Sequence, residues 1–213
     1  MLGFSSKTQV NRPFKLSDLL KMLQADKTVK ENAKLIRSIT LANVINSQTT
    51  AFIDDGKVKE IYIFEISLKE KEIPKEFIGA FDKFIELHTL FIFECNEEYT
   101  CYGALKSKGE KGIKTGKYYQ TDWSKQAPKI EIPLSANSLD DIYTVLVDEL
   151  IPIEANEEES VDDFVARYDE ITRLKKEITK KQKQVDNEKQ PKRRFELNAE
   201  LKELKKQLNN LQG

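Results

Sequence analysis

The chain has little of what most catalytic centres are built from. Among 213 residues there is one histidine and there are two cysteines. That leaves almost nothing from which to build a zinc site, and a nucleophilic triad would have one candidate base. Apolar runs are short as well. None approaches the ~20 residues that a spanning helix requires, the mean hydropathy is −0.56 and 33% of residues are charged. These figures exclude an integral helical membrane protein. Residues 1–12 lack the apolar segment of a secretory signal, so the expected location is the cytoplasm, with no membrane partner. An excess of either charge is missing too: 35 Lys and Arg stand against 36 Asp and Glu. No overall basic charge therefore marks the protein for nucleic acid, although the balance hides local segregation.

What is present is a patterned body followed by a charged tail. Leu16, Leu19, Leu20 and Leu23 follow helical spacing within 12–35, with Ser17 or Asp18 as the cap. Ile36 to Ile45 suits a strand, and Asp54-Asp55-Gly56 is a turn signal. Val58 to Lys69 alternates with apolar residues on both faces, which is the pattern of a central strand covered on two sides. Pro74 opens a helix with an apolar stripe of Phe77, Phe81, Phe84 and Ile85; His88 ends it, where the dipole favours a cation. Thr89 to Cys95 reads as a buried strand, Asn96-Glu97 as a tight turn and Glu98 to Leu105 as the returning strand. In this hairpin Cys95 faces Glu98 and Cys101 faces Ile92, so two free thiols are expected. A Gly/Lys-rich loop spans Ser107 to Gly116. It has no Walker spacing. Short strands follow at Lys117–Thr121 and Lys129–Leu134, with Trp123 packing nearby. Ser138 caps a helix that places Leu139, Ile142, Tyr143, Leu146, Val147 and Leu150 on one side.

The fold class is therefore α+β, a mixed sheet flanked by helices over 1–151. An acidic linker follows at 152–160. Residues 161–213 form a C-terminal antiparallel helical hairpin or coiled coil. Phe164, Ile171, Ile178 and Val185 recur every seven residues, and Leu197, Leu201, Leu204, Leu208 and Leu211 step as an a/d seam. Pro191 disfavours a continuous helix by ~3 kcal/mol. The bend therefore lies near 187–191; the other solution is a single kinked helix whose seam meets a second chain, making an oligomer.

Charge is segregated in this tail. Twelve acids and one base lie between Asp140 and Glu170; ten bases and three acids lie between Arg173 and Arg194. Lys180, Lys181, Lys183, Lys189, Lys192, Arg193 and Arg194 are the candidate nucleic-acid or partner-binding residues, since such a tip can neutralise phosphates. No aromatic residue interleaves within this run to stack on bases, which favours the plainer reading of a solvated coiled-coil surface.

Catalytic candidates are few: Asp54, Asp55, Glu65 and Lys69. Acids before a central strand, with acid and lysine on it, suit a Mg²⁺-dependent restriction-type nuclease, the only reading that calls for a cofactor. The spacing departs from that pattern, because Ser67 stands two residues after Glu65 and Lys69 lies one pleat further. No metal site is otherwise expected.

The runs VKEIYIFEISLKEKEIPKEFIGAFDKFI, TLFIFECNEEYTCYGAL, KYYQTDW, SLDDIYTVLVDEL and KQPKRRFELNAELKELKKQL resemble, over essentially the whole chain, the prokaryotic family labelled domain of unknown function 4391. The most specific parts are Glu60 to Lys69, Thr121 to Trp123 and Lys189 to Leu201. The resemblance implies a bacterial setting beside helicases and DNA methyltransferases of restriction-like, antiviral defence systems. It carries no catalytic residue. The leading expectation is a non-catalytic accessory or adaptor protein contacting a helicase or methyltransferase partner. The alternatives are the divergent nuclease and a DNA-binding module acting through the basic hairpin.

Overall fold

The computed structural model describes residues 5–50, 56–109, 112–130, 136–151, 153, 156 and 159–212. It contains a six-stranded mixed sheet whose spatial order follows chain order. The strands are β1 (Gln9–Phe14), β2 (Ile36–Asn46), β3 (Glu60–Leu68), β4 (His88–Cys95), β5 (Glu98–Gly109) and β6 (Gly112–Gln120). All neighbours are antiparallel except β3 and β4. The parallel pair needs a crossover, and helix α1 (Leu16–Met22), helix α2 (Lys27–Ala33) and helix α3 (Lys75–Ile85) lie before β2 or, for α3, between β3 and β4.

The segment with helical spacing over 12–35 holds the end of a strand and two short helices. Gln24 adopts φ 48°, which no helix tolerates, and the Asp26 carboxylate restarts the helix by accepting from Val29 N at 2.8 Å. The β1 strand went unread because nearly every residue in it is exposed.

Alternation along β3 and β4 sorts the core. Phe64, Ile66, Leu68, Phe91, Phe93 and Cys95 pack beneath α1–α3 with Leu19, Ala33, Phe77, Ile78 and Phe81. The α3 stripe is thus rotated from the expected one: Ile78 and Asp82 are buried, whereas Phe84 is 51% exposed. Phe64 stands at the centre, stacked on Phe91 at 5.7 Å and edge-on to Phe81 at 5.1 Å. His88 begins β4 instead of ending α3, which stops at Glu86 in the left-handed region.

On the opposite sheet face lies α4 (Leu139–Leu150), opened by a Ser138/Asp141 capping box. It crosses β5 at Gly103, where a β-carbon would come within 2.8 Å of Leu150 Cδ1. Asn96 and Glu97 both take positive φ in the two-residue turn between β4 and β5. That turn sets the register in which Cys95 faces Glu98 and Cys101 faces Ile92, and both thiols are free. The Gly/Lys-rich segment differs from a loop: Ser107, Lys108 and Gly109 pair with Lys114, Ile113 and Gly112, so it extends the β5–β6 hairpin. Lys129 and Ile130 are not in a strand, and the remainder of that expected strand lies outside the described residues.

The contacts divide the chain into Met1–Pro152 and Ile153–Gly213. The second unit holds α5 (Val161–Asn187) and α6 (Pro191–Gln212), which pack side by side. Pro191 occupies the first helical position, where its missing N–H has no cost. Lys181 Nζ meets Glu200 Oε2 at 2.6 Å, and Arg167 Nη1 donates to Leu211 O at 3.3 Å. Both contacts require an antiparallel hairpin. Phe164, Ile171, Leu174, Val185 and Leu201 are buried.

Candidate functional site: an open sheet cleft and a basic helical bend

Two places bring functional side chains together, one in each unit. In the first unit, α4 covers only part of its sheet face. Beyond it a cleft of about 450 Å³ opens over the ends of β3 and β4, lined by Thr40, Glu65, Ser67, Glu94, Tyr99 and Pro128 among others. Parallel pairing sets Ser67 opposite Glu94 and Glu65 opposite Ile92. Ser67 Oγ donates to Glu94 Oε2 at 2.8 Å, while Glu97 N donates to Glu94 Oε1 at 3.1 Å. Both Glu94 oxygens are therefore engaged, and Glu65 is the exposed carboxylate of the cleft.

Lys69 does not join them. It follows the end of β3, and its ammonium donates to Lys34 O at 2.7 Å, at the C-terminal end of α2. Asp54 and Asp55 lie outside the described residues. Among the described residues, no group of three His, Cys, Asp or Glu side chains could hold a metal ion.

A second polar cluster in this unit has a fully buried ion pair at its centre. Asp82 on α3 accepts from Lys106 Nζ at 2.6 Å and from Tyr118 Oη at 2.7 Å, and pairs closely with Thr89 Oγ1. The lysine also reaches Thr89 Oγ1 at 3.1 Å and the Leu87 carbonyl. On the other face, Lys106 N donates to Tyr143 Oη at 2.7 Å, and the Tyr143 ring lies edge-on to His88 at 4.5 Å. Burial pushes the His88 pKa down to about 4, with the Lys106 charge acting the same way. Burial also lowers the Lys106 pKa, against the opposing pull of Asp82. Among the described residues no buried side-chain nitrogen or oxygen lacks a hydrogen-bond partner, as a network that specifies packing requires.

In the second unit, the basic candidates flank the bend between α5 and α6. Lys180, Lys183, Lys189, Lys192, Arg193 and Arg194 are exposed. Lys181 is tied to Glu200, and Arg193 lies 3.5 Å from Glu188. Among the described residues, Lys180, Lys183, Lys189, Lys192 and Arg194 make no ion pair. One residue escaped the sequence reading. Phe195 directly follows the basic run and is 77% exposed, the most exposed large apolar side chain described. The signal that marks it in the sequence is its place directly after Arg194.

A mixed sheet with helices on both faces, joined in sequence to an antiparallel helical hairpin, defines a two-unit α+β protein with no described helix long and apolar enough to cross a membrane. The chain belongs to the family described as Domain of unknown function (DUF4391), whose model matches residues 2–208 of the 213. No curated protein matches the chain, and no solved structure does.

Proposed function

We propose that this protein is a non-catalytic accessory component of a nucleic-acid-processing assembly, and that its α5–α6 hairpin makes the contact to nucleic acid. The observation that carries the reading is the set of cations flanking the bend: among the described residues, Lys180, Lys183, Lys189, Lys192 and Arg194 make no ion pair. Cations left free on a helical bend are available to phosphates, whose condensed counterions are released on contact. Against a catalytic reading stands the separation of Lys69 from Glu65 and the full engagement of Glu94. A helicase or methyltransferase of a restriction-like defence system, the setting the family resemblance implies, is the protein partner this reading calls for.

Fluorescence anisotropy of the full chain with labelled DNA, across a series of salt concentrations, tests the reading. Affinity falls steeply with salt. In a Lys180→Gln, Lys183→Gln, Lys189→Gln variant the log–log slope becomes shallower by about 2–3, close to one for each lysine removed. A flat salt response in the unaltered chain overturns it.

A further inference from the structure

Phe195 is one member of an ordered stripe. Residues three or four apart share a helix face, and Lys192, Phe195, Ala199, Lys202 and Lys206 step 3-4-3-4 along α6. All five are exposed. Asn198 and Asn209 flank the stripe on the same side. At about 100° per residue the leucine seam (Leu197, Leu201, Leu204, Leu208) lies on the opposite side, so the stripe looks away from α5. Of its acidic neighbours on α6, Glu200 falls outside it, whereas Glu196, four residues from Lys192, and Glu203, three residues from Lys206, run along one edge of it. Among the described residues no ion pair joins Lys192, Lys202 or Lys206. The result is a face with cations on both sides of one protruding aromatic ring and acids along one edge only. Among the described residues Phe195 makes no aromatic contact; a single exposed apolar side chain is ordinary, and it is the lysines on the same face that give this one a use.

We propose that this outer face of α6 is a platform for single-stranded nucleic acid, with Phe195 stacking on a base and Lys192, Lys202 and Lys206 tracking the phosphates. Stacking on a lone exposed ring requires an unpaired, accessible base, which a duplex does not offer within its stack. Lysines alone would bind single and double strands by charge; the ring sets the preference. Lys192 and Lys202 lie about 15 Å apart along the helix, enough for a strand of several nucleotides to pass over the ring between them. The inference rests on the hairpin being the nucleic-acid contact and adds which form of nucleic acid it takes.

The test uses the full chain and a labelled 20-nucleotide oligo(dT), with the matching 20-base-pair duplex and anionic phospholipid vesicles as further probes. The single strand binds more tightly than the duplex. Phe195→Ala weakens single-strand binding roughly tenfold or more and leaves the duplex affinity unchanged; Phe195→Trp restores it. Because Phe195 is 77% exposed, Phe195→Ala unfolds with the same midpoint as the parent, so lost binding is not lost folding. Duplex binding equal to single-strand binding and untouched by Phe195→Ala overturns the platform but leaves the hairpin contact standing. Binding to vesicles alone, or to no DNA at all, overturns both.

Discussion

Lys106 Nζ lies 2.6 Å from Asp82 Oδ1, and neither side chain has any exposure to solvent. The pair links β5 to α3 through the centre of the first unit. Removing charge from water is costly, so one partner without the other leaves an uncompensated charge in the core. The two partners are unequal. Without Asp82, Lys106 keeps only the Leu87 carbonyl and the Thr89 hydroxyl. Without Lys106, Asp82 keeps two hydroxyl donors, Tyr118 and Thr89. Asp82→Ala is therefore expected to destabilise the protein by about 3–5 kcal/mol, and Lys106→Met by less. The double variant is less destabilised than the sum of the two singles. Urea unfolding of all four proteins closes the cycle, and simple additivity would show that the pair does not act as a unit.

The single histidine makes stability depend on pH in a definable window. The folded His88 pKa is down at about 4, below the ordinary 6.5, because burial disfavours the imidazolium. Between those values the unfolded chain binds a proton that the folded chain refuses. Stability is therefore lost as pH falls from about 6.5 to about 4, by up to about 3 kcal/mol, and is fully present above that range. His88→Gln removes this slope while leaving the carboxylate titrations common to both proteins. Urea midpoints at pH 7 and pH 5 for the two proteins check it. Parallel pH profiles would mean that His88 is accessible to protons in the folded state.

The thiols report on both faces of the sheet, Cys95 from the core beneath α1–α3 and Cys101 from the face opposite. Cys95 and Cys101 are buried and free, and burial, with Glu149 nearby, pushes the Cys101 pKa up to about 12. Thiolate is the reactive form. Neither cysteine should be alkylated in native protein at pH 8, whereas both should react in 6 M urea. Intact mass after timed iodoacetamide treatment gives the count. Rapid native labelling of either residue would place it at a surface or in a segment that opens locally.

The part of this fold that was legible is the part where side chains alternate or cap. The register through Asn96-Glu97 followed from turn chemistry, and it paired Cys101 with Ile92 as found. Ser138 announced α4 by its hydroxyl. Illegible features share a different property: their burial is decided by distant partners. Lys106 is charged and lies beside a lysine-rich segment, so nothing local marks it as interior; only Asp82, Thr89 and Leu87 do. The α3 stripe was misread for the same reason. Asp82 displaces Phe84 from the inward face because Lys106 waits there. The cleft acids show a further limit. Glu65 was visible on β3, but its neighbour Glu94 arrives through a parallel pairing that no local pattern encodes.

Two residues on α6 separate what holds the hairpin from what it offers. Leu201 is 5% exposed and sits in the seam; Phe195, 77% exposed, points away from it. Truncating a buried leucine removes transfer energy and leaves a cavity, typically 2–5 kcal/mol, with the lower end expected here because Leu197 and Leu204 on either side are only half-buried and can settle inward. An exposed side chain with no seam contact changes stability by no more than about 0.5 kcal/mol. Leu201→Ala should thus raise amide exchange across α6 while Phe195→Ala leaves it at the parent rate. The contrast matters because α5 and α6 are held together by few fully buried residues, and any loss of nucleic-acid binding must be assigned to the outer face or to the seam. If Phe195→Ala loosens α6 as much as Leu201→Ala does, the ring is a packing element and the stripe loses its separate identity.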